Sequence, residues 1–116
     1  MGEEKLDVEK FARDLAENLC IRNIRVTSII LFGSYARGEA TEDSDLDLIV
    51  VSPDFGEKAD YSKLYRSLPV HMIDVDALPR TPADLAAVEP DSFLAYALEE
   101  GKVVYEDAAL AKAWAN

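Results

Sequence analysis

The sequence predicts an α/β or α+β domain in which a small mixed β-sheet is flanked by helices. Three observations indicate this fold class. Apolar residues recur at helical spacing near the start of the chain, short apolar runs of strand length follow, and Gly, Pro and Asp residues separate them. A chain of 116 residues can build one hydrophobic core, so we expect residues 1–116 to form a single domain.

The first helix is predicted from about Asp7 to Cys20, because its apolar residues repeat every three or four positions and Asp7 can cap its start. A further short helix can begin at Ser34 and end before Gly38. Strands are predicted at residues 26–32, 46–51, 70–75 and 103–105. The remaining helical segments are predicted at residues 61–67, 83–88, 92–99 and 108–115.

The most informative segment joins two apolar runs at residues 29–32 and 48–51. Gly33 and Ser34 follow the first run, and Asp45 and Asp47 stand at the entrance to the second. Alternate side chains of a strand point to the same face, so the two aspartates should share a face with Cα atoms about 6.5–7 Å apart. Their carboxylates can then act on one ligand together.

This arrangement of residue types suits a metal-bound nucleotide. Mg²⁺ takes oxygen ligands, usually one or two carboxylates together with water and phosphate oxygens. Gly33 lacks a Cβ atom and lets a ligand approach the backbone, while Ser34 adds a hydroxyl donor to the free N–H groups of a helix start. We therefore expect Asp45 and Asp47 to bind metal, and Gly33 and Ser34 to bind the phosphates beside it.

At these residues the chain resembles the DNA polymerase β-like nucleotidyltransferase superfamily. The hallmark of that superfamily is Gly-Ser, a ten-residue spacer and Asp-x-Asp, which here are Gly33-Ser34, residues 35–44 and Asp45-Leu46-Asp47. Within it the chain looks most like the minimal nucleotidyltransferases, which are small solo domains. A second, weaker similarity lies at residues 101–106, which look like the closing strand of that group.

The resemblance implies a fold, a reaction and a partner. Members of the minimal group often act as the antitoxin of a HEPN toxin and silence it by transferring AMP from ATP to a toxin tyrosine. The expected cofactor is Mg²⁺, with two ions, and ATP is the substrate. The resemblance also implies a third carboxylate on a neighbouring strand, for which Asp74 is preferred over Asp76, both as a metal ligand and as the proton acceptor.

Arg37 has two interpretations. It can offset charge on the leaving phosphates, or it can be a surface residue of the short helix that pairs with Glu39 or Glu42.

Composition limits the classes of function. The formal net charge of −11, from 12 basic and 23 acidic residues, disfavours a nucleic-acid partner because phosphate backbones need clustered Lys and Arg. No apolar run reaches the length of a membrane span, so no membrane partner is expected. The single cysteine, Cys20, predicts a buried thiol and fits a cytoplasmic location. The sequence is compatible with a homo-oligomer.

Two other functions stay open at this point. The fold can hold a toxin or regulatory partner without catalysis, in which case the nucleotide site is vestigial. Alternatively, the enzyme can use a small-molecule acceptor such as an aminoglycoside hydroxyl, although the short chain leaves little room for an acceptor pocket.

Overall fold

The computed structural model describes residues 6–56 and 61–114. Their strands form one four-stranded sheet in the order β3-β2-β1-β4. Strand β1 runs antiparallel to both β2 and β4, whereas β3 runs parallel to β2, which confirms the predicted mixed sheet. The strands are β1 Ser28–Phe32, β2 Leu46–Val51, β3 Val75–Arg80 and β4 Lys102–Glu106.

Several of the helices begin where the sequence supplies a capping side chain. Asp7 accepts a hydrogen bond from the Lys10 N–H at 3.0 Å, and Ser92 accepts one from the Ala95 N–H at 3.0 Å. Thr81 forms a reciprocal capping box with Asp84. The helices are α1 Val8–Ile21, α2 Ser34–Arg37, α3 Tyr61–Arg66, α4 Pro82–Ala86, α5 Phe93–Glu100 and α6 Ala108–Trp114.

The core lies on both faces of the sheet, because successive strand residues point to opposite sides. On one face, α1 covers the strands with buried side chains that include Phe11, Leu15 and Leu19. On the other face, α5 packs through Ala97, and the strand residues there are Ile30, Phe32, Ile49 and Val51. Asp47 pairs with Phe32 in the sheet register, which places it on the α5 face.

The predicted third strand at residues 70–75 is wrong. Strand β3 covers Val75–Arg80 instead, and Val70 and Met72 are 100% and 98% exposed. The alternation of apolar residues before Asp74 therefore does not reflect burial. Pro79 argued against a strand at residues 75–80, because proline cannot donate a backbone hydrogen bond. It is tolerated here because β3 is an edge strand, and one side of its backbone has no partner strand.

The other boundaries differ by small amounts. Strand β1 begins at Ser28, two residues later than predicted, and α5 extends to Glu100, one residue further. The predicted end of the last helix at Ala115 lies outside the described residues. Cys20 is exposed, which corrects the prediction that it is buried, because it lies on the solvent side of α1. No helix in the described part of the chain is long and apolar enough to cross a membrane.

Candidate active site

The turn between β1 and α2 depends on glycine at position 33. Gly33 has φ 75° and ψ −155°, a backbone region that is accessible essentially only to glycine. A Cβ atom at this position would overlap the Asp47 carboxylate, so the missing side chain also makes room for Asp47. The geometry explains why the Gly-Ser pair and the second aspartate belong to one site.

Helix α2 is short and ends as the sequence predicts. Ser34 is its first residue, and Gly38 closes it with φ 74°, a left-handed conformation typical of a helix C-terminus. The Glu39 N–H then donates to the Ser34 carbonyl oxygen at 2.9 Å. These contacts hold Ser34 just beyond the end of β1, whose last residue, Phe32, pairs with Asp47 in the sheet.

The acidic residues gather where β2 begins. Asp45 is exposed and directly precedes β2, and Asp47 is half-buried within it. The parallel register of β2 and β3 places Asp76 directly across from Asp47. Three carboxylates therefore lie at one end of two neighbouring strands.

Electrostatics at Asp47 reflect this crowding. The pKa of Asp47 is raised, first by burial and then by the negative charges of Asp76, Asp45 and Glu100, while Arg37 partly opposes the shift. A carboxylate with a raised pKa among like charges has an unfavourable ionised state, and a bound cation would relieve it. Perturbed carboxylates of this kind concentrate at functional sites.

Asp74 occupies a different position from the one predicted for it. It lies one residue before β3 and is exposed, so the prediction that it lies within a strand is wrong. Its backbone carbonyl accepts a hydrogen bond from the Leu46 N–H at 2.9 Å, which aligns the start of β3 with that of β2. Asp76, not Asp74, is the strand residue that faces Asp47.

The donor chemistry at this end of the sheet fits Mg²⁺. Within residues 6–56 and 61–114, no group of three or more His, Cys, Asp or Glu side chains is arranged so that it could hold a metal ion. Mg²⁺ commonly needs only one or two carboxylates and completes its octahedron with water and nucleotide phosphates. Asp45 and Asp47, with Asp76 opposite, supply hard oxygen ligands of this type.

Arg37 and Glu100 form a connection that sequence reasoning missed. The Arg37 guanidinium binds Glu39 at 2.8 Å and Glu100 at 3.0 Å, and the Glu100 carboxylate also accepts the Gly33 N–H at 2.8 Å. Pairing of Arg37 with Glu39 is confirmed, and its pairing with Glu42 is not observed. Glu100 directly precedes residues 101–106, whose similarity to the minimal group was the available signal.

An open groove of about 470 Å³ lies at the opposite end of β2 and β3. It is lined by side chains that include Arg80, Thr81 and Asp84, and none of the predicted site residues borders it. We assign the site by its chemistry, because cavity size alone does not bind a metal or a phosphate.

The sheet, the Gly33-Ser34 turn and the facing carboxylates together form a candidate nucleotidyltransferase site. Residues 9–107 match the family model described as a nucleotidyltransferase domain. The chain therefore belongs to the nucleotidyltransferase domain family, as its resemblance predicted.

Two relatives come from Methanocaldococcus jannaschii. MJ1215, named as a candidate protein adenylyltransferase, is 42% identical over 65 residues, which cover 56% of this chain and 66% of that protein. MJ0604 carries the same description and is 37% identical over 82 residues, which cover 70% of this chain and 80% of the relative. The similarity to MJ0604 extends well beyond the motif.

A solved structure shows the same fold. A chain from the crystal structure of a toxin-antitoxin with AMP-PNP aligns with a TM-score of 0.60 at 21% identity. The alignment covers 90% of this chain and 80% of that chain. At this identity the match supports the mixed sheet and its flanking helices.

Proposed function

We propose that this protein is a Mg²⁺-dependent nucleotidyltransferase that transfers AMP from ATP to a protein hydroxyl, specifically a tyrosine of a partner HEPN toxin. The observation that carries the proposal is the placement of Asp45 and Asp47 beside the Gly33-Ser34 turn, with Asp76 on the adjacent strand. This placement supplies both metal ligands and phosphate donors. The single cysteine and the need for ATP support a cytoplasmic location.

In this proposal each residue has a chemical role. Asp45 and Asp47 would hold two Mg²⁺ ions, which, when bound, would neutralise phosphate charge and lower the pKa of the acceptor hydroxyl. Ser34 and neighbouring N–H groups would hold the β- and γ-phosphates. The acceptor oxygen forms a bond to the α-phosphorus, the bond to the β-phosphate oxygen breaks, and pyrophosphate leaves. A carboxylate on β3 takes the hydroxyl proton.

We propose Asp76 as that third carboxylate. It lies directly across from Asp47, and its charge acts on Asp47, whereas Asp74 precedes the strand. The matched variants Asp76→Asn and Asp74→Asn separate the two candidates. We expect Asp76→Asn to lower kcat by about 100-fold or more, the size typical for loss of a general base. A larger loss in Asp74→Asn would transfer the role to Asp74.

A protein acceptor is supported by two independent points. The M. jannaschii relatives are named as candidate protein adenylyltransferases, and the structural neighbour is a toxin-antitoxin with AMP-PNP. In this chain, the almost fully exposed Val70 and Met72 lie a few residues before Asp76. Exposed apolar side chains favour contact with a protein surface.

The test is transfer of label from α-labelled ATP. The protein is incubated with Mg²⁺, labelled ATP and the product of the gene beside its own, and then the Asp45→Asn/Asp47→Asn double variant is compared with wild type. We expect labelled tyrosine with wild type and at least about a 100-fold loss in the double variant. Glu42→Gln, which removes one exposed loop charge, is the control and should label normally.

Each contrary outcome has a definite meaning. Labelling that survives the double substitution would contradict the proposed metal site. Wild type that binds AMP-PNP and the toxin without labelling it would identify a non-catalytic antitoxin. Transfer to an aminoglycoside in place of the toxin would identify a small-molecule nucleotidyltransferase.

A further inference from the structure

Glu100, the last residue of α5, binds groups at both ends of α2. One carboxylate oxygen, Oε2, accepts a hydrogen bond from the Gly33 N–H at 2.8 Å, just before the helix. The other, Oε1, binds the Arg37 guanidinium at 3.0 Å, at the end of the helix. The Glu100 side chain is 16% exposed and its contact with Gly33 is partly buried, whereas the Arg37 side chain is 42% exposed.

The fold places Glu100 here through its neighbour Gly101. A Cβ atom at position 101 would come within 2.5 Å of the Ile30 Cγ2 atom and 2.9 Å of the Ala97 carbonyl oxygen. Only a residue without a side chain therefore lets the end of α5 approach β1 so closely. Ala97, fully buried one turn earlier in α5, packs in the same cluster as Ile30. The backbone of Glu100 is consequently held in a fixed position next to β1.

The contacts of Glu100 lower its own pKa, yet its negative charge is unfavourable for the groups around it. The Glu100 charge helps to raise the pKa of Asp47, and it would also repel a triphosphate bound nearby. A negative side chain at such a place is unfavourable for nucleotide binding unless it contributes through geometry. The Gly33 N–H and Arg37 are the groups whose orientation it sets.

We propose that Glu100 is a positioning residue for nucleotide transfer. It holds the Gly33 peptide in its glycine-only conformation, so that Ser34 points toward the phosphates, and it shares the Arg37 guanidinium with Glu39 to fix the direction of that side chain. The inference rests on the proposed function, because it assigns the nucleotide phosphates to the Gly33-Ser34 turn. Glu100 itself touches neither metal nor nucleotide.

The experiment compares three variants. Glu100→Ala removes both contacts, Glu100→Gln keeps an oxygen that can accept the Gly33 N–H, and Glu99→Gln alters the exposed neighbouring residue as a control. Titration with AMP-PNP and Mg²⁺ gives Kd, and steady-state labelling gives KM for ATP and kcat. We expect Glu100→Ala to raise Kd and KM about tenfold, Glu100→Gln to recover part of the loss, and Glu99→Gln to match wild type.

A second readout does not depend on nucleotide. The amide proton of Gly33 should resonate downfield in wild type because it donates to a carboxylate, and it should move upfield and exchange faster in Glu100→Ala. Thermal unfolding of each variant confirms that it is folded. An unchanged Gly33 amide would overturn the inference.

The two proposals fail in different ways. If wild type does not bind AMP-PNP, the nucleotide site is wrong, and the Gly33 amide still reports whether Glu100 sets the turn. If wild type binds and Glu100→Ala binds equally well or more tightly, the positioning role is wrong, and tighter binding would show that Glu100 competes with phosphate.

Discussion

Charged side chains are arranged differently at the two ends of the sheet: like charges lie together at one end, and opposite charges are paired at the other. At the end where β2 begins, Asp47 is half-buried next to Asp45 and Asp76, and its pKa is raised by burial and by its neighbours. At the end where β2 finishes, Asp54 accepts three hydrogen bonds from Arg25, at 2.8–2.9 Å, from both its backbone and its guanidinium. These contacts lower the pKa of Asp54.

The difference separates residues that stabilise the fold from residues that we propose bind a ligand. The Asp54 end has opposite charges paired, and the nearby buried Thr27 hydroxyl donates to the Val51 carbonyl at 3.0 Å. The Asp47 end gathers like charges, which raises the free energy of the folded state until a cation binds. Local rules of stability are commonly broken at functional sites.

Among the substitutions that test this difference between the two ends, Gly33→Ala is expected to have the largest effect. The substitution forces a Cβ atom into a glycine-only backbone conformation and against the Asp47 carboxylate. We expect a loss of about 1–3 kcal/mol in the free energy of unfolding together with loss of AMP transfer. Chemical denaturation and the labelling assay measure the two effects.

Gly38→Ala is the matched control for that substitution. Gly38 has nearly the same φ, 74°, but a Cβ atom there would meet nothing within 4 Å. Its left-handed αL backbone is open to other residues at a cost of about 1 kcal/mol, so Gly38→Ala should lose less stability than Gly33→Ala and keep its activity. If both variants lost activity equally, the contact between Gly33 and Asp47 would not explain the glycine.

Asp47→Asn is expected to have a smaller effect than Gly33→Ala. In the absence of metal it should raise the stability of the folded protein. Because the folded pKa of Asp47 is raised, its protonated form favours folding below about pH 3.9, and that contribution is lost as the pH rises through the folded pKa. At pH 7 in EDTA, Asp47→Asn should therefore melt at a higher temperature than wild type. The gap should close as the pH falls toward 4.

Two controls test the origin of that gain. Glu42→Gln removes one negative charge from the exposed loop and should change the melting temperature less than Asp47→Asn does. Added Mg²⁺ should stabilise wild type but not Asp47→Asn, which would narrow the difference. A variant that is less stable than wild type at pH 7 would contradict the view that this end is strained by like charges.

The sequence was sufficient where local chemistry decided the structure. Gly33, Ser34 and Gly38 predicted the turn and short helix, and the apolar run after Asp47 predicted β2 to the residue. In these cases glycine conformation and strand periodicity act within a few residues. They need no knowledge of distant parts of the chain.

The sequence was insufficient where distant segments had to be aligned. Whether Asp74 or Asp76 faces Asp47 depends on the register between β2 and β3, which the apolar pattern around Val70 did not encode. The contact of Glu100 with Gly33 joins residues 67 positions apart and is made by one side chain at a helix end. Periodicity alone contains no information about such a pairing.

The smallest expected effect lies at the other end of the sheet, in Arg25→Gln. The folded pKa of Asp54 is lowered, so the pair stabilises the fold above the ordinary aspartate pKa of about 3.9, and this contribution disappears as the pH falls through the folded value. Arg25→Gln should therefore lose stability at pH 6–8, and the loss should shrink as the pH falls below about 3.9. Lys10→Gln, which breaks the exposed i,i+4 pair with Asp14, should lose less because it removes one contact of 2.8 Å. Urea denaturation across this pH range measures both, and AMP transfer should be unchanged in both. Loss of AMP transfer in Arg25→Gln would show that the two ends of the sheet are coupled. It would contradict the view that one end stabilises the fold and the other binds the ligand.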